Sequence, residues 1–200
     1  MAISAKQVQE LRAKTNVGMM DCKRALEETD GDMERAIHVL RKRGIAKAED
    51  RMGRAAREGA IFSYIHTGNK LGVMVEVNSE TDFVARTDEF QAFARDVAMH
   101  IAANAPLAVS REGLDPVLVE REREIYREQT LGEGKPEHIV DRIVEGRLEK
   151  YYQEVCLLEQ PFVKDPNKTV KDLETELAVK SGENVSIRRF VRYVLGEECG

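Results

Sequence analysis

The chain has 200 residues, of which 42% are hydrophobic and 34% are charged, an ordinary balance for a globular protein. Its formal net charge is −5, which excludes an overall basic surface for duplex nucleic acid. No apolar run approaches the roughly 20 residues of a membrane-spanning helix.

The cysteines indicate a reducing compartment. Cys22, Cys156 and Cys199 are far apart, and none belongs to a CxxC motif. An odd number of scattered cysteines is typical of proteins that keep their thiols reduced. The N-terminal segment is amphipathic and lacks the apolar stretch of a signal peptide, so we expect a cytoplasmic protein without membrane contact.

Three short helices are predicted at the N-terminus, in a domain that spans residues 1–53. Ser4 and Gln7 have the spacing of a capping box at the start of the first helix. Gly44 is expected as the C′ residue that ends the third helix. The following segment, 44–59, is rich in alanine and in charges of both signs, and we interpret it as a partly helical linker.

The remaining residues, 54–200, have the pattern of an α+β core. Alternating apolar residues over 61–78 indicate a β-hairpin, and residues 185–195 indicate a third strand of the same antiparallel sheet. Thr87 is the expected N-cap of a helix that packs on this sheet. A helical hairpin is predicted at about 115–158, because two helical patterns are separated by a short turn.

The predicted fold class is therefore α+β: a small three-helix domain, then a three-stranded antiparallel sheet packed by helices and a helical hairpin. The stretch PFVKDPNK, residues 161–168, is expected to be a loop. We expect the sheet to be the centre of the larger domain because its strands carry the most regular apolar alternation.

No local signature of a catalytic site is present. The sequence contains no GxSxG, HExxH, GxxxxGK[ST] or GxGxxG motif, and its histidines occur singly. No cluster of cysteine and histidine has metal-ligand spacing. These observations favour a binding protein without catalytic residues, metal or cofactor, and such a protein must expose apolar side chains to its partner.

Two apolar sites occur where polar residues are more common. Phe83 and Val84 lie in a turn after the second strand, and Met19 and Met20 lie at the break between the first two helices. Burial is the alternative: Phe83 would pack on the following helix as a staple, and the methionines would be core and rim. His100, at the edge of an apolar helical stripe, is the kind of lone histidine that is most often structural.

The turn motif TDFVAR, residues 81–86, resembles the signature of the bacterial elongation factor Ts family, the guanine-nucleotide exchange factors of the GTPase elongation factor Tu. Four other stretches resemble the family in the same order: LRAKTNVGMMDCKRAL, GKPEHIVDRIVEGRLEK, QPFVKD and GENVSIRRF. The resemblance implies a UBA-like N-terminal domain and an α+β core. Asn16 stands where the family usually has glycine, and asparagine tolerates the left-handed conformation better than most residues.

The resemblance also implies a set of partner-binding residues. The residues of the loop that would enter the GTPase beside its nucleotide and Mg²⁺ are Thr81, Asp82, Phe83 and Val84. The other residues that would contact the same GTPase are Met19, Met20 and His100. In this interpretation the ring of Phe83 is a wedge, and Asp82 orients the turn and contacts the partner.

The chain has one copy of the core subdomain, where longer family members have two. The resemblance therefore implies the short form of the family, which associates as a homodimer. The implied function is nucleotide exchange during translation elongation, with no bond-making chemistry and no direct contact with nucleic acid. A passive adaptor that binds a partner helix through residues 1–55 and an unrecognised hydrolase are the alternatives.

Overall fold

The computed structural model describes residues 3–15 and 17–197, so Asn16 and Cys199 lie outside the described residues. The helices of the described chain are α1 (Ala5–Thr15), α2 (Met19–Glu28), α3 (Met33–Glu49), α4 (Asp82–Ala85), α5 (Asp88–Asn104), α6 (Pro116–Gly132), α7 (Glu137–Val155) and α8 (Val170–Ser181). The strands are β1 (Glu58–Ile65), β2 (Leu71–Ser79), β3 (Pro161–Phe162), β4 (Asp165–Thr169) and β5 (Val185–Val194). Within this described part, no helix combines the length and apolar character needed to cross a membrane.

Helices α1, α2 and α3 pack around a core of their own. The buried residues of this core are Val8, Leu11, Cys22, Ala25, Leu26, Ala36 and Leu40. The capping box at the start of α1 is present, since Gln7 N donates to Ser4 Oγ at 3.3 Å and Ser4 N donates to Gln7 Oε1 at 3.0 Å. The domain boundary after residue 53 stays a prediction.

Helix α3 continues through Gly44 to Glu49, so the prediction that Gly44 ends the helix is wrong. A Cβ atom at position 44 would lie only 2.9 Å from Cγ1 of Val179 on α8. The absence of a side chain at this position lets α3 approach α8 closely. Gly44 is therefore explained by packing between the N-terminal helices and the core.

Strands β1, β2 and β5 form an antiparallel sheet with β2 in the centre. Because side chains alternate along a strand, Val73, Val75 and Val77 of β2 share one face of the sheet. They are buried in the same cluster as Phe90 and Ile101 of α5. The predicted α+β class and three-stranded antiparallel sheet are confirmed.

Helices α6 and α7 form the predicted hairpin. Asp115 caps α6 by accepting from the Val117 amide at 2.9 Å, and Pro116 occupies the first helical turn. The buried apolar residues of the hairpin are Val140, Val144 and Leu148 on α7, and Thr130 of α6 is buried beside its C-terminal end.

Arg111 fixes the base of this hairpin to the core. Its guanidinium donates to Glu159 at 2.5 Å and to Glu149 at 2.7 Å, and it lies 4.4 Å from the centre of the Tyr152 ring. The hydrogen bond to Glu159, and to a smaller extent the one to Glu149, raises the pKa of Arg111 above its usual value. The hairpin is thus held by a charge-assisted contact in addition to its apolar seam.

The segment 161–168 is not the loop that was predicted. Strands β3 and β4 pair as a small antiparallel ribbon, with Phe162 opposite Asp165. The sequence of this segment does not predict strands, because it contains proline, aspartate and asparagine, which are uncommon in strands. The ribbon is fixed instead by burial of Phe162, whose ring centre lies 6.0 Å from that of His100.

Candidate partner-binding site

Phe83 projects from the protein on the short helix α4. Its side chain is 77% exposed, whereas the next two residues, Val84 and Ala85, are buried. Successive residues of a helix differ in direction by about 100°, so a turn that buries Val84 and Ala85 turns Phe83 outward. The alternative interpretation of Phe83 as a buried staple is wrong.

The C-terminal end of this turn is tied to α5. The Thr87 hydroxyl donates to Val84 O at 2.8 Å, and its oxygen accepts from the Phe90 amide at 3.3 Å. The Gln91 side chain donates to Ala85 O at 2.8 Å. Thr87 is therefore the predicted N-cap of α5, and it also anchors the turn that carries Phe83.

The N-terminal end of the turn is tied to a distant part of the chain. Thr81 N donates to Glu183 Oε2 at 3.0 Å, and the Thr81 hydroxyl donates to Glu183 Oε1 at 2.7 Å. Ser79 Oγ donates to Thr81 O at 2.8 Å. Sequence reasoning missed Glu183, although it lies in the GENVSIRRF stretch that carries part of the family resemblance.

Asp82 is partly exposed beside Phe83. Its carboxylate accepts from the guanidinium of Arg86, one helical turn later, at 2.6 Å. An ion pair as exposed as this one contributes about 1 kcal/mol or less, so a partner that offers a better contact can displace it. The carboxylate of Asp82 is thus available for binding.

Met19 and Met20 begin α2 and are both exposed, by 40% and 65%. The core of the three-helix bundle is filled from α2 by Cys22, Ala25 and Leu26. The interpretation of the methionines as core and rim is therefore wrong, and a pair of flexible apolar side chains faces solvent.

His100 is fully buried, and among the other predicted site residues only Val84 is also buried. Its Nδ1 accepts from the Val163 amide at 3.2 Å, so the proton lies on Nε2, which donates to Gln160 Oε1 at 2.8 Å. Burial lowers the pKa of His100, and the weaker opposing effect of the Gln160 hydrogen bond raises it. In this structure the His100 ring lies away from the surface. Its direct contact with a partner stays a prediction.

An apolar ring and a carboxylate on a turn that is hydrogen-bonded at both ends are typical of a protein that acts by binding another protein. Among residues 3–15 and 17–197, no three or more histidine, cysteine, aspartate or glutamate side chains are grouped so that they could hold a metal ion.

Comparison with known proteins identifies the family. The family model described as Elongation factor TS matches residues 5–197. The chain is 60% identical to proteins named elongation factor Ts from Carboxydothermus hydrogenoformans and Alkaliphilus oremlandii, over 98% of its length and 90% and 91% of theirs. The protein of the same name from Geobacter sulfurreducens is 58% identical over 98% of this chain and 91% of its own. The chain belongs to the elongation factor Ts family and is by family an elongation factor of translation.

Proposed function

We propose that this chain is a guanine-nucleotide exchange factor that binds elongation factor Tu in its GDP-bound form and promotes release of GDP, so that GTP can rebind. Family membership supports the partner. The observation that carries the mechanism is the 77% exposure of Phe83 on a turn that is fixed at both ends. The chain works in the cytoplasm, where its partner works, and contacts neither membrane nor nucleic acid directly.

The mechanism is mechanical coupling between two binding events. A GTPase holds its nucleotide through Mg²⁺, a lysine and a cradle of backbone amides. The loop Thr81–Val84 enters beside this cradle, and the Phe83 ring displaces the elements that hold Mg²⁺ and phosphate. Because the ring is presented by a turn with fixed hydrogen bonds, little conformational entropy is lost when it inserts.

The exchange factor does not select GTP over GDP. Bound nucleotide and inserted loop oppose each other, so each weakens the binding of the other by the same factor. The concentrations of the two nucleotides decide which one rebinds. No bond is made or broken, so the reaction needs no general acid, base or metal ligand from this chain.

The remaining site residues have supporting roles. Met19 and Met20 dock on a helix of the GTPase, since methionine side chains adapt to apolar grooves. His100 acts from within the core by joining α5 to the β3–β4 ribbon through its bonds with Gln160 and Val163. The two methionines therefore govern affinity, and Phe83 governs the displacement of nucleotide.

Two copies of the chain associate through the outer face of the sheet. The exposed apolar residues on or beside this face are Ile61, Ile65, Met74, Val191, Tyr193 and Leu195. Glu76 on the same face is paired with Arg189 at 2.7 Å and with Arg188 at 3.5 Å, so this ion-pair cluster brings a single excess positive charge to a second copy. A self-complementary apolar face is suited to a two-fold dimer.

The coupling can be measured by calorimetric titration. GDP is expected to raise the Kd of the chain for elongation factor Tu, and the chain is expected to raise the Kd of GDP by the same factor, about 5–150-fold. Titration of nucleotide-free and GDP-bound elongation factor Tu with the chain checks this. Equal affinity for both forms would contradict the proposed function.

A further inference from the structure

We propose that Glu183 is a positioning residue for nucleotide exchange, and that the turn Ser181–Asn184 holds the Phe83 loop in the geometry in which it enters its partner. This inference deepens the proposed function and rests on it. Glu183 itself lies between α8 and β5 and is separated from Thr81 by 102 residues of sequence.

Glu183 uses both carboxylate oxygens on one loop residue. Oε2 accepts from Thr81 N at 3.0 Å, and Oε1 accepts from the Thr81 hydroxyl at 2.7 Å. Thr81 is the N-cap of α4, yet its hydroxyl makes no bond to the amides of that helix. The hydroxyl is engaged by Glu183 instead, so the start of the turn is fixed by a charge-assisted pair of hydrogen bonds from outside.

The neighbouring residue reinforces this attachment and extends it. The backbone N–H of Asn184 donates to Oε1 of Glu80 at 2.7 Å, and Glu80 is the residue immediately before Thr81. The buried Asn184 side chain donates to Arg54 O at 2.8 Å and to Met52 O at 3.3 Å. The turn therefore joins the Phe83 loop to the segment that leads from the N-terminal helices, where Met19 and Met20 lie.

Glu183 is itself held in place. Gly182 adopts the left-handed conformation at φ +73° and ends α8, and the Glu183 amide donates to the Ser181 hydroxyl at 3.3 Å. A glutamate on a mobile segment could not fix a loop, but this one is attached to α8 on one side and to β5 on the other. Without its carboxylate, the Thr81 amide and hydroxyl lose their partner, and only the bonds from Ser79 to Thr81 O and from Asn184 N to Glu80 still hold the N-terminal side of the Phe83 turn.

The expected consequence is a slower displacement step at unchanged docking. Met19 and Met20 still bind the GTPase, but the freed ring is in the inserting position for only part of the time. The maximal rate of GDP release at saturating chain should therefore fall, and the chain concentration that gives half of it should change little.

The test is release of fluorescent GDP from elongation factor Tu at increasing concentrations of the full chain. Glu183→Ala is expected to lower the saturating rate roughly tenfold, while the half-maximal concentration stays within about twofold. Glu183→Gln is expected to restore the rate to within about twofold, because its amide oxygen accepts from Thr81 N and its amide nitrogen donates to the Thr81 hydroxyl.

Glu174 provides the matched control. Its buried carboxylate on α8 accepts from Ile187 N at 2.9 Å and pairs with Lys171, but makes no bond to the Phe83 loop. Glu174→Ala should lower the melting temperature and leave the saturating rate at the wild-type value. If the Glu174→Ala variant does not fold, Glu174→Gln serves as the control instead.

The outcomes separate this inference from the function on which it rests. If Phe83→Ala slows release but Glu183→Ala does not, the positioning role is wrong and the exchange function stands. A change at Glu183 that alters only the half-maximal concentration, or one that Glu174→Ala reproduces, also overturns the positioning role. If Phe83→Ala releases GDP at the wild-type rate, both the exchange mechanism and the role of Glu183 are wrong.

Discussion

At position 83 the chain leaves a phenyl ring in water. Burial of such a side chain would stabilise the protein by about 1.5–3 kcal/mol, so the exposed position forgoes stability. The adjacent Val84 and Ala85 take the inward positions of the turn, and hydrogen bonds at both ends keep the ring outside. An exposed aromatic ring departs from the usual burial of large apolar side chains, and such departures are concentrated at functional sites.

His100 shows the opposite use of a side chain, and its burial predicts a dependence of stability on pH. The pKa of His100 is lowered in the folded protein from its usual 6.5, mainly by burial. As pH falls through 6.5, the unfolded chain takes up a proton that the folded chain does not, so stability is lost by up to about 1.4 kcal/mol per pH unit. Above that range the contribution is constant.

Urea unfolding at pH 7.5, 6.5 and 5.5 measures this effect in the wild type and in His100→Gln. The two proteins share all other titrating groups, so a difference between them in how the free energy of unfolding changes with pH is due to His100. The wild type is expected to lose more stability between pH 6.5 and 5.5 than the variant. Equal slopes would contradict the neutral buried ring.

At the scale of elements, the proposed function assigns binding to α2 and displacement of nucleotide to α4. α2 presents Met19 and Met20, and α4 presents Phe83, and each belongs to a different hydrophobic core. Changes on the two helices should therefore have separable kinetic effects, whereas the activity of a passive adaptor would depend on residues 1–55 alone.

The double variant Met19→Ala, Met20→Ala is expected to raise the chain concentration needed for half-maximal GDP release by roughly tenfold. Its saturating rate should equal that of the wild type, because Phe83 is unchanged. Titrated release of fluorescent GDP measures both quantities, and Met52→Ala, at another exposed methionine, is the control. A lower saturating rate at unchanged half-maximal concentration would contradict this division.

The elements differ in how far the sequence could predict them. Thr87 and Asp115 could be predicted as N-caps, because a cap bonds to its own helix within a few residues. Strands β1 and β2 could be predicted because apolar residues alternate along one face of each strand. The bonds from Glu183 to Thr81 span 102 residues, so no local pattern contains them. Likewise the role of Gly44 depends on Val179 of a distant helix.

At the scale of the whole molecule, the sheet has one face covered and one face open. α5 covers the inner side, and the outer side carries exposed apolar residues on all three strands. An open apolar face of this kind is unusual in a monomer, and the proposed homodimer would cover it with a second copy of the chain.

Met74 lies on the central strand of that open face and is 48% exposed. Met74→Lys places a charge where the two copies would meet, so the variant is expected to sediment as a monomer at concentrations where the wild type sediments as a dimer. Val117→Lys, at an exposed apolar position of α6, is the control and should remain dimeric. A monomeric wild type would show that the homodimer proposal is wrong.

The claim on which the account depends most is that the exposed ring of Phe83 displaces the nucleotide of another protein. Release of fluorescent GDP from elongation factor Tu, compared between the wild-type chain and Phe83→Ala at saturating concentration, tests it most directly. The ring is 77% exposed, so the variant should keep its free energy of unfolding within about 0.5 kcal/mol, yet release GDP roughly 30-fold more slowly. Release at the wild-type rate by an equally stable variant would contradict the account.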